Sequence, residues 1–114
     1  STLDPILLEL IKIRVSQING CAFCLNMHTE DARKMGESER RIYLLNAWSD
    51  TAIYSDKEKA ALAFAESLTQ ISTNPVSDEE FEKMKALFTD REIVDLVVAI
   101  NNINSWNRLN ITLS

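Results

Sequence analysis

Apolar residues recur at helical spacing along almost the whole chain, and the breaks between these runs carry capping residues. Asp4 followed by Pro5 reads as an N-cap with proline at the first helical position, and the helix it opens extends to about Gln17. At 100° per residue, Ile6, Leu7, Leu10, Ile11, Ile13, Val15 and Ile18 cover more than half of its circumference. Glu9, Lys12 and Ser16 form a narrow polar strip, and Arg14 lies inside the apolar arc, where it needs a carboxylate partner. A helix so widely apolar is expected to be buried or to pack on a second subunit. Asn19 and Gly20 form a turn dipeptide that ends it. The second helix begins near Cys21 and stops at Gly36, a C′ glycine with Lys34 in the last turn. Cys21, Cys24, Leu25, His28, Ala32 and Met35 share one face of it, and Asn26, Glu30, Arg33 and Lys34 the other.

Ser38 caps a third helix, predicted over Glu39 to Trp48, with Ile42, Leu45 and Trp48 or Tyr43 and Ala47 facing inward. Ser49, Asp50 and Thr51 break it. Three capping-box patterns follow, Ser55 with Glu58, Ser77 with Glu80, and Thr89 with Glu92. The first opens a helix from Lys57 to about Gln70, and the second one through Phe81, Met84, Leu87 and Phe88. The third opens the last helix, whose run Ile93 to Ile100 is β-branched enough for a strand. The capping box and the spacing of Ile100, Ile103 and Trp106 make it a helix. The asparagines that follow (Asn101, Asn102, Asn104, Asn107 and Asn110) are weak helix formers. They predict either a solvated, frayed end or amides bonded across a subunit interface. The fold class is all-α, about six helices in one domain spanning residues 1–114.

Composition narrows the function. With 114 residues and 46% hydrophobic content the chain can bury a core and is not disordered. A net charge of −5 argues against a nucleic-acid surface and against docking on an anionic membrane. No apolar run approaches the ~20 residues of a membrane span, and no signal peptide is read at the start. The chain begins at Ser1 rather than methionine, compatible with residues further upstream. Two cysteines at this spacing form no secreted-type disulfide framework, so a cytoplasmic, thiol-reducing setting is expected.

The chemistry concentrates in eight positions, Cys21 to His28, which hold both cysteines and the only histidine. The two-residue gap lets the sulfurs meet on one turn, and His28 lies one turn beyond Cys24 on the same face. Near a helix N-terminus, free N–H groups and the macrodipole favour thiolate. His28 can take the proton from Cys24 or stabilise its thiolate. Attack on a peroxide gives a sulfenic acid, and the second thiol condenses with it to a disulfide. Proximity to His28 makes Cys24 the attacking thiol and Cys21 the resolving one, although spacing alone leaves the opposite order open. Buried structural cysteines are the plain alternative. A zinc site would have only Cys21, Cys24 and His28, one ligand short of the four a structural zinc takes. Glu9 falls on the polar strip, where a carboxylate is ordinarily solvated, although one near a thiol–imidazole pair can accept a proton through water.

At these residues the chain resembles the carboxymuconolactone decarboxylase superfamily, and within it the alkylhydroperoxidase D-like (AhpD-like) proteins. The pattern is Glu9, eleven residues, Cys21, two residues, Cys24, three residues, His28. The stretch Tyr54 to Thr69 and the hydrophobic run ending in Asn107 and Arg108 are similar to later parts of the family, so the resemblance spans roughly Pro5 to Asn110. It implies an all-α homo-oligomer, often a trimer or hexamer, and a cofactor-free dithiol peroxidase cycle on organic hydroperoxides. In that cycle Cys24 attacks, Cys21 resolves, and Glu9 and His28 relay the proton. The reductant is a lipoyl-carrying protein or another dithiol. The best-known peroxidases of the group carry a further histidine between the cysteines, where this chain has Phe23. Decarboxylase members lack the cysteine pair, so lactone decarboxylation is not expected. The competing class is a redox-sensing or structural helical oligomer whose cysteines oxidise without turnover.

Overall fold

A computed structural model describes residues 1–114. It contains six α-helices and one 3-10 segment, without strands: α1 (Pro5–Asn19), α2 (Ala22–Lys34), α3 (Glu39–Tyr43), the 3-10 segment (Leu45–Asp50), α4 (Asp56–Thr69), α5 (Asp78–Leu87) and α6 (Asp90–Leu113). The caps are those the sequence announces. Asp4 Oδ1 accepts the N–H of Ile6 at 2.9 Å, and Gly20 ends α1 in the left-handed region at φ 75°, where a side chain would be strained. Ser55 with Glu58 and Thr89 with Glu92 form complete capping boxes. The third pattern is only half made. Ser77 accepts the N–H of Glu80, but the Glu80 carboxylate turns away and accepts from Ser67 Oγ at 3.1 Å.

The wide apolar arc of α1 is explained by two separate cores that share this helix. Leu7, Ile11 and Val15 join Leu3 and side chains of α4, α5 and α6, among them Phe64, Met84, Leu96 and Ile100. Leu10 and Ile13, on another face, join Ala32 of α2, Ile42, Leu45, Tyr54 and Leu62. Arg14, between the two, donates from Nε to Glu66 Oε2 at 2.7 Å, and the Trp48 indole N–H donates to the same oxygen at 2.8 Å. The carboxylate partner expected for Arg14 is therefore Glu66.

Two expectations are corrected. The third helix does not run unbroken to Trp48. It leaves α geometry after Tyr43, and Ala47 lies outside helical angles at φ −115°, ψ 28°. A period of three brings Ile42, Leu45 and Trp48 into line, which suits a 3-10 segment. Ile42 and Leu45 are buried while Tyr43 points outward. The asparagine-rich end is not frayed, and the amides of Asn104 and Asn107 are satisfied within the chain. Helix α6 continues to Leu113, and Asn104 and Asn107 are buried within the chain. Asn19 Nδ2 donates to the side-chain oxygens of both, at 2.9 and 3.0 Å. Asn107 Nδ2 donates to Ser16 Oγ at 3.0 Å, and Asn104 Nδ2 to Thr69 Oγ1 at 3.1 Å. These amides tie the C-terminal ends of α1 and α4 to the middle of α6. Removing one leaves buried polar partners unmatched. Asn107→Ala is therefore expected to destabilise the chain by about 2 kcal/mol, read as a lower urea midpoint.

Candidate functional site

The site is built where the polar strip of α1 is covered by α2. Gly20 lets the chain reverse immediately after α1, so α2 packs back along it and faces the strip. Cys21 is the N-cap of α2, and its sulfur accepts the N–H of Cys24 at 3.3 Å. The two cysteines are joined in a disulfide, with Cα atoms 5.3 Å apart. Both are almost completely buried, as is His28 one turn further along α2. Met35, assigned to the same face by its spacing, is exposed beyond the helix end.

Glu9 is not the solvated carboxylate that the periodicity of α1 describes. Covered by α2, it is 4% exposed and lies 3.0 Å from His28 Nδ1 through Oε1. Its other oxygen, Oε2, pairs with Lys12 Nζ, also at 3.0 Å. Burial pushes the Glu9 carboxyl up, but hydrogen bonds from His28 and Lys12, with the charge of Lys12, outweigh it and leave the group below the usual carboxylate range. An ionised carboxylate only accepts, so the hydrogen of the imidazole sits on Nδ1 and Nε2 is left free to accept. The sequence-level candidates Glu9, Cys21, Cys24 and His28 thus lie together at the α1–α2 contact.

A cavity of about 530 Å³ opens beside them between α1, α2 and α6. Cys24 and His28 line it and Cys21 does not. Leu8, Phe23, Met27, Ala99, Ile103 and Trp106 supply apolar wall, and Lys12, Asn102 and Asn110 its remaining polar groups. Phe23 and Trp106 are 62% and 61% exposed at this wall. The contribution of α6 was not legible, because nothing in the spacing of Trp106 or Asn102 ties them to residues some eighty positions earlier. Lys12 had a weak signal, its place one turn after Glu9 on the same strip. Asp31 was also missed; it offers a carboxylate oxygen within 4.8 Å of donor atoms of Glu9 and His28.

The chain is similar to several known proteins. The model of the carboxymuconolactone decarboxylase family matches residues 1–67. The uncharacterized protein YdfG of Bacillus subtilis is 55% identical over 105 residues, covering 92% of this chain and 71% of that one. The crystal structure of a protein of unknown function from Agrobacterium tumefaciens, suggested to be the antioxidant defence protein AhpD, superposes with a TM-score of 0.94. It is 40% identical, with 97% of this chain and 76% of that one covered. An uncharacterized peroxidase-related protein from Silicibacter superposes with a TM-score of 0.84 at 27% identity, over 96% of this chain and 57% of that one. An unbroken glutamate–cysteine–cysteine–histidine pattern, an all-helical fold and these likenesses make the chain a member of the carboxymuconolactone decarboxylase family, on its AhpD-like side.

Proposed function

We propose that this protein is a thiol-dependent peroxidase that reduces organic hydroperoxides through the Cys21–Cys24 pair. The observation that carries this reading is the division of labour around the cavity. Cys24 and His28 both border it, Glu9 is hydrogen-bonded to His28 Nδ1, and Cys21 does not line it. In the reduced protein, His28 Nε2 takes the proton of Cys24 and Glu9 stabilises the imidazolium. The Cys24 thiolate attacks the distal oxygen of ROOH. The O–O bond breaks, and the leaving alkoxide takes the proton from His28 and departs as ROH. Cys21 then attacks the sulfenic sulfur of Cys24, and water leaves as the disulfide forms. An external dithiol, such as a lipoyl group on a carrier protein, returns the pair to thiols.

The apolar wall of Phe23, Met27, Ile103 and Trp106 favours an organic peroxide over hydrogen peroxide. Phe23 stands where the best-known peroxidases of the group have a histidine, so proton transfer here rests on His28 and Glu9. The antioxidant role suggested for the Agrobacterium relative and the peroxidase-related name of the Silicibacter protein support the same class of activity. Assembly into a homo-oligomer belongs to the same proposal. Val94, Val98, Trp106, Leu109 and Leu113 of α6 are exposed apolar side chains of the kind a second copy covers.

Four outcomes follow from the reading. Hydroperoxide consumption with a dithiol reductant is expected to be lost in Cys24→Ser. Cys21→Ser is expected to accumulate a sulfenic acid on Cys24, detectable with a sulfenic-acid probe. Labelling of Cys21 in Cys24→Ser would reverse the two roles, and reversible oxidation without turnover would leave a sensor. His28→Ala is expected to slow alkylation of reduced Cys24 by about 100-fold at neutral pH and to move its profile to higher pH. The fourth concerns stability. Because the Glu9 carboxyl is held below its ordinary value of 4.5, its contribution is full above that value and is lost as pH falls through the lower, folded-state one. Glu9→Gln is therefore expected to flatten the fall in thermal stability below about pH 4.5, measured by melting temperature.

A further inference from the structure

We propose that Lys12 is a positioning residue of this site, holding Glu9 against His28 and keeping it anionic in its buried setting. The inference rests on the peroxidase reading for its chemistry, and on geometry for its substance. The two oxygens of Glu9 are divided between two partners, Oε1 at 3.0 Å from His28 Nδ1 and Oε2 at 3.0 Å from Lys12 Nζ. Glu9 and Lys12 are one turn apart on α1, so the backbone of one rigid helix sets their separation. The Glu9 side chain is 5% exposed and that of Lys12 is 32% exposed, and Lys12 lines the cavity together with Cys24 while Glu9 does not.

The surroundings make a cation necessary. A carboxylate removed from water with no compensating charge favours its neutral form. A neutral Glu9 would donate its O–H to Nδ1, which transfers the ring hydrogen to Nε2 and removes the acceptor that the proposed proton transfer from Cys24 needs. From α2 the groups facing Glu9 are His28 and Asp31, and Asp31 adds negative charge. From α6 the cavity receives the uncharged amides Asn102 and Asn110. Lys12 is the one cationic side chain bordering it.

Lys12→Gln and Lys12→Arg separate this from a structural role and from a role in holding substrate. The first readout needs no turnover. In oxidised protein labelled with 13C-glutamate, the Glu9 carboxyl resonance, assigned by its loss in Glu9→Gln, is titrated between about pH 3 and pH 8. Its midpoint is expected to rise in Lys12→Gln and to return toward the parent value in Lys12→Arg. The second is alkylation of Cys24 in a Cys21→Ser background. At the acid end of the profile the rate is expected to fall roughly tenfold in Lys12→Gln, with Lys12→Arg restoring it and rates converging at alkaline pH. An unmoved Glu9 midpoint in a folded Lys12→Gln protein overturns the proposal. So does a defect confined to KM for carboxylate-bearing hydroperoxides, which makes Lys12 a substrate anchor. If hydroperoxide turnover is absent from the parent protein while the Glu9 midpoint still moves, the peroxidase reading fails and the positioning role stands.

Discussion

A single buried carboxylate organises this protein's chemistry. Glu9 lies in the contact between α1 and α2, and its two oxygens fasten an imidazole on one side and an ammonium on the other. An unpaired charge at such a depth would cost several kcal/mol. Here the pairing turns that liability into orientation, because an ionised acceptor dictates which nitrogen of His28 carries hydrogen. The site therefore depends on α2 lying over the polar strip of α1, which follows from the reversal at Gly20.

The same helix serves both structure and site. One side of α1 packs into the core formed with α4, α5 and α6, another into the smaller core with α2, Ile42, Leu45 and Leu62, and the remaining strip carries Glu9, Lys12 and Ser16. Ser16 accepts from Asn107, so the strip that positions the imidazole is also fastened to α6. Helix α6 in turn supplies Ala99, Ile103 and Trp106 to the wall opposite the cysteines. The cavity is thus bordered by three helices whose relative placement is fixed by two cores and one set of side-chain amides.

What could be read in advance follows from how local each signal is. Caps and helical periods act within a few residues, so Asp4, Gly20, Ser55 and Thr89 marked their boundaries correctly. The Ser77 pattern looked equivalent but is half made, because Glu80 finds Ser67 on another helix. Glu9 shows the same limit more sharply. A polar residue on a narrow strip reads as solvated until another helix covers it, and only the likeness to a family pointed at its role. The amides of Asn104 and Asn107 failed for the converse reason. Weak helix formers argue for fraying, yet three distant side chains, Asn19, Ser16 and Thr69, hold them inside the chain. The break after Tyr43 reflects a choice between periods of 3.6 and 3 that Ile42, Leu45 and Trp48 satisfy equally well on paper.

Cys21 holds two offices at once. Its sulfur belongs to the disulfide and also terminates α2 by accepting the Cys24 N–H. Any event at that sulfur is thus felt directly by the backbone of the helix that carries the imidazole. Serine is a strong N-cap whose oxygen accepts the same kind of N–H, whereas alanine is not. Exchanging the sulfur for a hydroxyl consequently removes the disulfide while sparing the helix start, and the alanine exchange confounds the two.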